Sequence, residues 1–144
     1  MIHIKEITAE ETFPIRLEVL RKNIPLPHEF NGDFDSETFH LGAFKKEELI
    51  AVSSYMKASN KNFEGSQYQL RGMATLTEYQ GFGAGKLMLE KAVQILKEKN
   101  SNVLWCNARI AAVEFYKKQG FRTIGEKFEI LPVGEHYVMF KELK

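Results

Sequence analysis

Apolar residues along this chain alternate in some stretches and recur at helical spacing in others, and the switches between the two periods divide it into elements. Ile2, Ile4 and the nearby Ile7 predict a first strand ending at Thr8. Thr8 followed by Glu11 reads as a capping box and opens a predicted helix over about residues 10–22, with Ile15, Leu17, Val19 and Leu20 among its apolar positions. Pro25, Pro27, Gly32 and Asp33 make the next stretch irregular. Residues 40–44 and 49–56 read as two strands joined by a polar turn, and 60–65 as a second turn before a strand over 68–76. Leu87, Met88, Leu89, Ala92, Val93, Ile95 and Leu96 then recur at helical spacing, with Glu90, Lys91, Gln94, Lys97 and Glu98 on the other face, so an amphipathic helix ends near Asn100. Residues 103–106 are short and apolar, as a buried strand should be. A helix over 111–119 is stopped by Gly120 in the C′ position. Residues 121–130 and 136–140 make two last strands around Pro132-Val133-Gly134. The order β-α-β-β-β-α-β-α-β-β predicts an α/β fold: a mixed sheet with helices on both faces.

Composition narrows this picture without redirecting it. The chain has 144 residues, 44% hydrophobic and 27% charged, which suits one globular domain over residues 1–144. A net charge of +1 calls for neither nucleic acid nor an anionic membrane as partner. No apolar run approaches the roughly 18 residues that span a bilayer. The N-terminus lacks the apolar core of a signal peptide, and the one cysteine, Cys106, suits a reducing compartment, so a cytoplasmic location is expected. Cys106 lies in an apolar run and reads as a buried structural thiol rather than a nucleophile. The four histidines, at positions 3, 28, 40 and 136, show no ligand spacing, and no metal site is expected.

The run Gln80-Gly81-Phe82-Gly83-Ala84-Gly85-Lys86 carries the chemistry. It stands between the strand over 68–76 and the long amphipathic helix. Glycines at alternate positions let the backbone bend tightly, and the helix that follows aims unpaired N–H groups and its positive dipole end into the bend. Such a turn suits phosphate oxygens. It is not a Walker loop, because Leu87 follows Lys86 where a hydroxyl is needed, and it lacks the third glycine of a dinucleotide fingerprint. The plain alternative is a structural bend that uses glycine for close packing.

The stretch from Met73 to Gly85 resembles the acetyl-CoA signature of the GNAT N-acetyltransferase superfamily, Gln/Arg-x-x-Gly-x-Gly/Ala, met by Gln80, Gly83 and Gly85. A second block, Ala111-Ala112-Val113-Glu114-Phe115-Tyr116-Lys117-Lys118-Gln119-Gly120-Phe121, resembles that family's later helix, which ends Phe-Tyr-x-x-x-Gly-Phe. The two blocks stand in the family's order with a strand between them. The tail around Gly125, Phe128 and His136 also resembles small bacterial ElaA-like members. The resemblance implies the GNAT acyl-CoA N-acyltransferase fold, with a mostly antiparallel sheet of about seven strands.

It further implies that the main chain of Met73, Ala74 and Thr75 bonds the pantetheine arm of acetyl-CoA as an added strand would. The N–H groups of Gln80, Gly81, Phe82, Gly83, Ala84 and Gly85 would hold the pyrophosphate, with Lys86 adding charge. Tyr116 would be the general acid for the departing thiolate, against the plainer reading of an aromatic packing residue beside Phe115 and Phe121. Many family members carry asparagine seven residues before that tyrosine. Here the position is Arg109, with Asn107 two residues earlier and directly after the strand, so either can supply the pantetheine contact, or Arg109 can instead reach a CoA phosphate or an acidic substrate group.

A general base must come from residue type alone: His28, Glu29, Glu78 and His136 are candidates, and the ElaA-like tail favours His136 as base or acceptor contact. The expected activity is direct transfer of acetyl from acetyl-CoA to a primary amine of a small molecule or peptide. A non-catalytic acyl-CoA binder of the same fold is the alternative. The charges on the acceptor side are mixed, Arg16, Arg21, Lys22 and His28 against Glu29, Asp33, Asp35 and Glu37, and select no substrate. The edge of the tail hairpin offers a second copy a place to pair as a homodimer.

Overall fold

Thr8 and Glu11 close the capping box reciprocally: the Thr8 N–H donates to Glu11 Oε1 at 2.8 Å and the Glu11 N–H donates to Thr8 Oγ1 at 3.2 Å. The computed structural model describes residues 1–144. Strand β1 (Ile2–Ile7) leads into this cap and helix α1 (Ala9–Ile15). The single helix expected over 10–22 is not continuous. Pro14 lacks the N–H that would bond back to Glu10 and its ring crowds that carbonyl. Beyond it the ladder widens to a π-turn, Arg16–Leu20, closed by Arg21 N–H donating to the Arg16 carbonyl at 3.1 Å. Leu17, expected on the apolar face, is exposed.

Strands β2 (Phe39–Lys45), β3 (Glu48–Lys57) and β4 (Gln67–Thr75) follow as an antiparallel meander. A 3₁₀ turn at Thr77–Tyr79 and the glycine run lead into α2 (Ala84–Glu98). Next come β5 (Val103–Arg109), a 3₁₀ turn at Ile110–Ala112, α3 (Val113–Lys118), β6 (Arg122–Ile130) and β7 (Gly134–Glu142). β5 runs three residues past the apolar stretch, so Asn107 lies within the strand and not after it. Pairing with β7 decides this: Asn107 sits opposite Val138 and Arg109 opposite His136, while Ala108 between them is buried. All seven strands form one sheet in the order β1-β2-β3-β4-β5-β7-β6.

Helix α2 covers one face. Ala84, Met88, Ala92 and Leu96 recur every four residues and are buried against Leu41, Ile50, Tyr55, Leu70 and Leu104, each large side chain contributing about 1.5–3 kcal/mol. α3 packs on the same face through Val113 and Tyr116. It ends in a Schellman motif, with Gly120 N–H donating to the Lys117 carbonyl and Phe121 N–H to the Tyr116 carbonyl, both at 3.0 Å; Gly120 takes φ +90°. The opposite face carries α1 and the π-turn, where Ile15 packs on Val52 and Ala74.

Two irregularities position the site. The β4–β5 pairing is the sheet's only parallel one, and it lasts only from Gln67–Val103 to Gln69–Trp105. Beyond those rungs the two strands have no ladder between them, and the edges of residues 70–75 and 106–109 face an opening. On its other side β4 carries a bulge. Val52 pairs Ala74 and Ser54 pairs Arg71, so Gly72 and Met73 both oppose Ser53, with Gly72 at φ +64°. A β-carbon at Gly72 would lie 2.8 Å from the Phe30 ring and 3.2 Å from Arg16 Nε, so a side chain there would have to displace the Phe30 ring as well as adopt a strained backbone.

Candidate active site

The opening between β4 and β5 is continuous with the glycine turn. A groove of about 650 Å³ runs from Met73, Ala74 and Thr75 past Gln80, Gly81, Gly83 and Gly85 to Ala112, Phe115 and Tyr116. Its two ends offer different chemistry. Along β4, the β5-facing main-chain groups have no strand partner, so N–H and C=O remain for an extended ligand. At the turn, Gly83 is the N-cap of α2 at φ +90°, makes no side-chain cap bond, and no acidic residue stands in the first turn. The N–H groups opening α2 are therefore free for an anion.

The glycines of this turn have separate physical reasons. Gly81 (φ +87°) and Gly83 are needed for their backbone conformation, since a β-carbon at either would meet nothing within 4 Å. Gly85 is needed for space: a β-carbon there would lie 3.0 Å from Phe115 Cζ and 3.4 Å from Met73 Sδ. Gln80 ties the turn to the strand end, its Nε2 donating to the Thr75 carbonyl at 3.3 Å. Lys86 lines the groove and is exposed, whereas the Phe82 side chain turns away to meet Lys45 Nζ 5.5 Å from its ring centre.

On the far side of the splayed strands lies a second cavity of about 420 Å³. Gln69, Arg71, Asn107, Arg109 and His136 line it from the sheet, and Leu20, Arg21, Leu26 and Phe30 from the segment after α1. Met73, Arg109, Ala112 and Tyr116 line both cavities. A molecule lying along β4 and one in the second cavity would therefore meet at Tyr116. Asn107 lines the second cavity only, and Arg109 stands on the wall between the two.

Tyr116 is buried, packed edge-on against Phe115 at 5.1 Å and against Phe121 at 5.4 Å, so the packing role is real. It does not exclude a chemical one. Burial, with smaller contributions from Cys106 and Tyr55, holds the phenol well above its ordinary titration range, and Arg109 opposes this weakly. The hydroxyl is protonated throughout the physiological range. Burial likewise pushes the Cys106 thiol up to about 12, so it carries almost no thiolate at neutral pH.

Among the candidate bases, only His136 reaches the cavity. Its Nδ1 lies 2.7 Å from the Gly134 carbonyl; a carbonyl only accepts, so Nδ1 carries a hydrogen, and in the neutral ring Nε2 is the nitrogen with the lone pair. His28 packs on Phe13 at 5.0 Å, and Glu29 and Glu78 are exposed away from either cavity. The mixed charge expected on the acceptor side is not mixed inside it. Asp33 is buried and forked to Arg16, Nη1 and Nη2 donating to its two oxygens at 2.8 and 2.9 Å. Burial by itself would raise the Asp33 carboxyl, but Arg16 and the Phe30 N–H outweigh it and hold it below its ordinary value. No carboxylate lines the second cavity. Of the two arginines besides Arg109 that do, Arg21 is among the charges expected on the acceptor side and Arg71 is not; the one signal for Arg71 is its place next to Gly72 on the strand before the glycine turn.

The family model for the acetyltransferase (GNAT) domain matches residues 4–130. The chain belongs to the GNAT acetyltransferase family. The Bacillus subtilis N-acetyltransferase YitI, itself uncharacterized, is 36% identical over 146 residues, covering 100% of this chain and 98% of YitI. Among solved structures, Escherichia coli ElaA superposes with a TM-score of 0.80 at 17% identity, over 99% of this chain and 100% of that one. An acyl-CoA N-acyltransferase from Pseudomonas aeruginosa gives 0.78 at 18% identity, over 98% and 99%. At these identities the two structures speak for the fold, which is the GNAT fold expected from the glycine and Phe-Tyr blocks. This GNAT protein is therefore an acetyltransferase enzyme, and an acyl-CoA is the cosubstrate class that its family implies. No helix in it is long and apolar enough to cross a membrane. No group of three or more His, Cys, Asp or Glu side chains could hold a metal ion.

Proposed function

We propose that this GNAT enzyme transfers acetyl from acetyl-CoA directly to a primary amine, with Tyr116 as the general acid. The observation that carries the reading is the junction of the two cavities at Tyr116, one running back to a phosphate-suited helix start and the other holding His136. The free edge of β4 at Met73, Ala74 and Thr75 takes the two amides of the pantetheine arm. The opening N–H groups of α2 and the main chain from Gln80 to Gly85 take the pyrophosphate, and Lys86 adds charge at the rim. The main chain of Arg109, the β5 residue that lines both cavities, supplies the contact from β5.

In the second cavity the unprotonated amine attacks the thioester carbon; the C–N bond forms in a tetrahedral intermediate, and its collapse breaks the C–S bond and releases the thiolate. The amine proton leaves to His136 Nε2, directly or through a water. The thiolate takes its proton from the Tyr116 hydroxyl, which is protonated at neutral pH. Holding both reactants in one splayed gap supplies most of the remaining acceleration. Two features support transfer without a covalent enzyme intermediate: the only thiol, Cys106, is protonated, and the second cavity meets the groove at Tyr116, so donor and acceptor can lie side by side.

Thiol release from acetyl-CoA over a panel of primary amines tests the reading. Turnover with at least one amine, matched by binding of acetyl-CoA in calorimetry, is expected. No turnover together with no binding would sink it.

A further inference from the structure

The second cavity is lined by three arginines and no carboxylate. Arg71 comes from β4, Arg109 from β5 and Arg21 from just after the π-turn, 50 and 38 residues apart in sequence. The β4 bulge is what turns Arg71 to the α1 face; three residues on, Ala74 lies on that same face. Asp33, whose charge acts on Arg71, is already bound to Arg16, which itself lies outside the cavity lining. The protein's other ion pairs are Lys117–Glu114, Arg122–Glu142 and Lys127–Glu135, so none of the three arginines has an acidic partner. Arg21 donates only to main-chain carbonyls, Pro27 at 2.9 Å and Leu20 at 3.4 Å, and the Arg71 and Arg109 guanidiniums have no hydrogen-bond partner in the protein.

The arrangement is built rather than accidental. The Phe30 ring holds Arg71 at 4.5 Å and Arg21 at 5.3 Å from its centre, with Arg16 at 3.9 Å. Burial first, and then repulsion from Arg109, Arg71 and Arg16, lowers the Arg21 pKa; burial and Arg16 do the same to Arg71, outweighing an opposing pull from Asp33. Like charges crowded into a partly desolvated pocket destabilise one another unless an anion joins them.

Resting on the amine-acylation reading above, we infer that the acceptor is a small amine bearing an anionic group, a carboxylate or a phosphate, which Arg71, Arg21 and Arg109 hold while the amine faces Tyr116. Guanidinium forks match both anions, and a cavity of about 420 Å³ suits a small molecule.

The test uses the full chain and two matched pairs of amines: β-alanine with propylamine for the carboxylate, O-phosphoethanolamine with ethanolamine for the phosphate. In at least one pair the anionic member should have a kcat/KM at least about tenfold above its neutral partner, the loss expected for a missing charge-assisted contact, and the favoured pair tells carboxylate from phosphate. Arg71→Gln and Arg21→Gln should each lower that charged-to-neutral ratio severalfold or more. A merely structural role would lower both members alike and leave the ratio standing. Binding is read separately, from the arginine Nε–H NMR signals during titration with acetate and with inorganic phosphate, where saturable shifts at Arg71 and Arg21 are expected. Neutral amines used as well as anionic ones, or no saturable shift with either anion, would overturn the inference and leave acetyl transfer intact. Saturable anion binding without turnover of any amine would contradict the proposed reaction instead and leave the anion pocket standing.

Discussion

Gly83 and Gly85 stand two positions apart in one turn and would fail differently if replaced. Gly83 sits at φ +90° with open space around its missing β-carbon, so Gly83→Ala suffers backbone strain of about 1–2 kcal/mol and no clash. Urea unfolding should show that loss, and calorimetry should show weaker acetyl-CoA binding because the strained turn relaxes away from the α2 start. Gly85→Ala instead pushes on Phe115 and Met73, so its penalty depends on how far those side chains yield. Cys106 makes a pH prediction. Its folded-state value, about 12, lies above its ordinary 9.0, so the folded state holds the proton more tightly. That contribution to stability is complete below about pH 9 and is lost as pH rises through 12, with a slope of at most about 1.4 kcal/mol per pH unit. Denaturant titrations between pH 9 and 11 should show a shallower decline for Cys106→Ala than for the parent. An equal decline would assign the alkaline loss to other groups.

At the scale of elements, what could be read from the sequence was whatever neighbours dictate. The capping box at Thr8 and Glu11, the four-residue stripe of α2 and the glycine stop at Gly120 each depend on a few adjacent residues, and each formed where expected. The π-turn did not follow from the apolar pattern, because 3.6-residue spacing fits a widened turn nearly as well and the departure came from Pro14. β5 outran its apolar stretch because pairing to β7, 29 or so residues later, outweighs the polarity of Asn107 and Arg109. The arginine pocket was invisible for a related reason. Charges read along the chain as a mixture are sorted in space: Asp33 goes to Arg16, Glu29, Asp35 and Glu37 stay exposed, and Arg21 is left with Arg71 and Arg109. The Arg16–Asp33 fork also ties the irregular segment to the π-turn and, through Arg16 Nη2 donating to Ser54 Oγ at 2.8 Å, to β3. Asp33→Asn leaves Arg16 buried and uncompensated, so a destabilisation of about 3–5 kcal/mol is expected in thermal or chemical unfolding. A change below 1 kcal/mol would show that the fork is dispensable.

For the whole molecule, a sheet held together on both flanks comes apart at its one parallel seam, and that seam is where the chemistry gathers. β4 contributes a free main-chain edge, α2 a bare helix start, β5 and β7 the Arg109–His136 pair, and α3 the phenol that closes the gap between the cavities. The proposed reaction requires Tyr116 to act as an acid and not merely to fill space between Phe115 and Phe121. The most direct measurement is therefore the kcat of Tyr116→Phe for acetyl transfer, taken beside its calorimetric affinity for acetyl-CoA and its melting temperature. With Tyr116 as the acid, kcat should fall about 10²-fold or more, while affinity stays within about threefold and melting within a few degrees. A variant that binds acetyl-CoA normally and turns over at the parent rate would contradict that role.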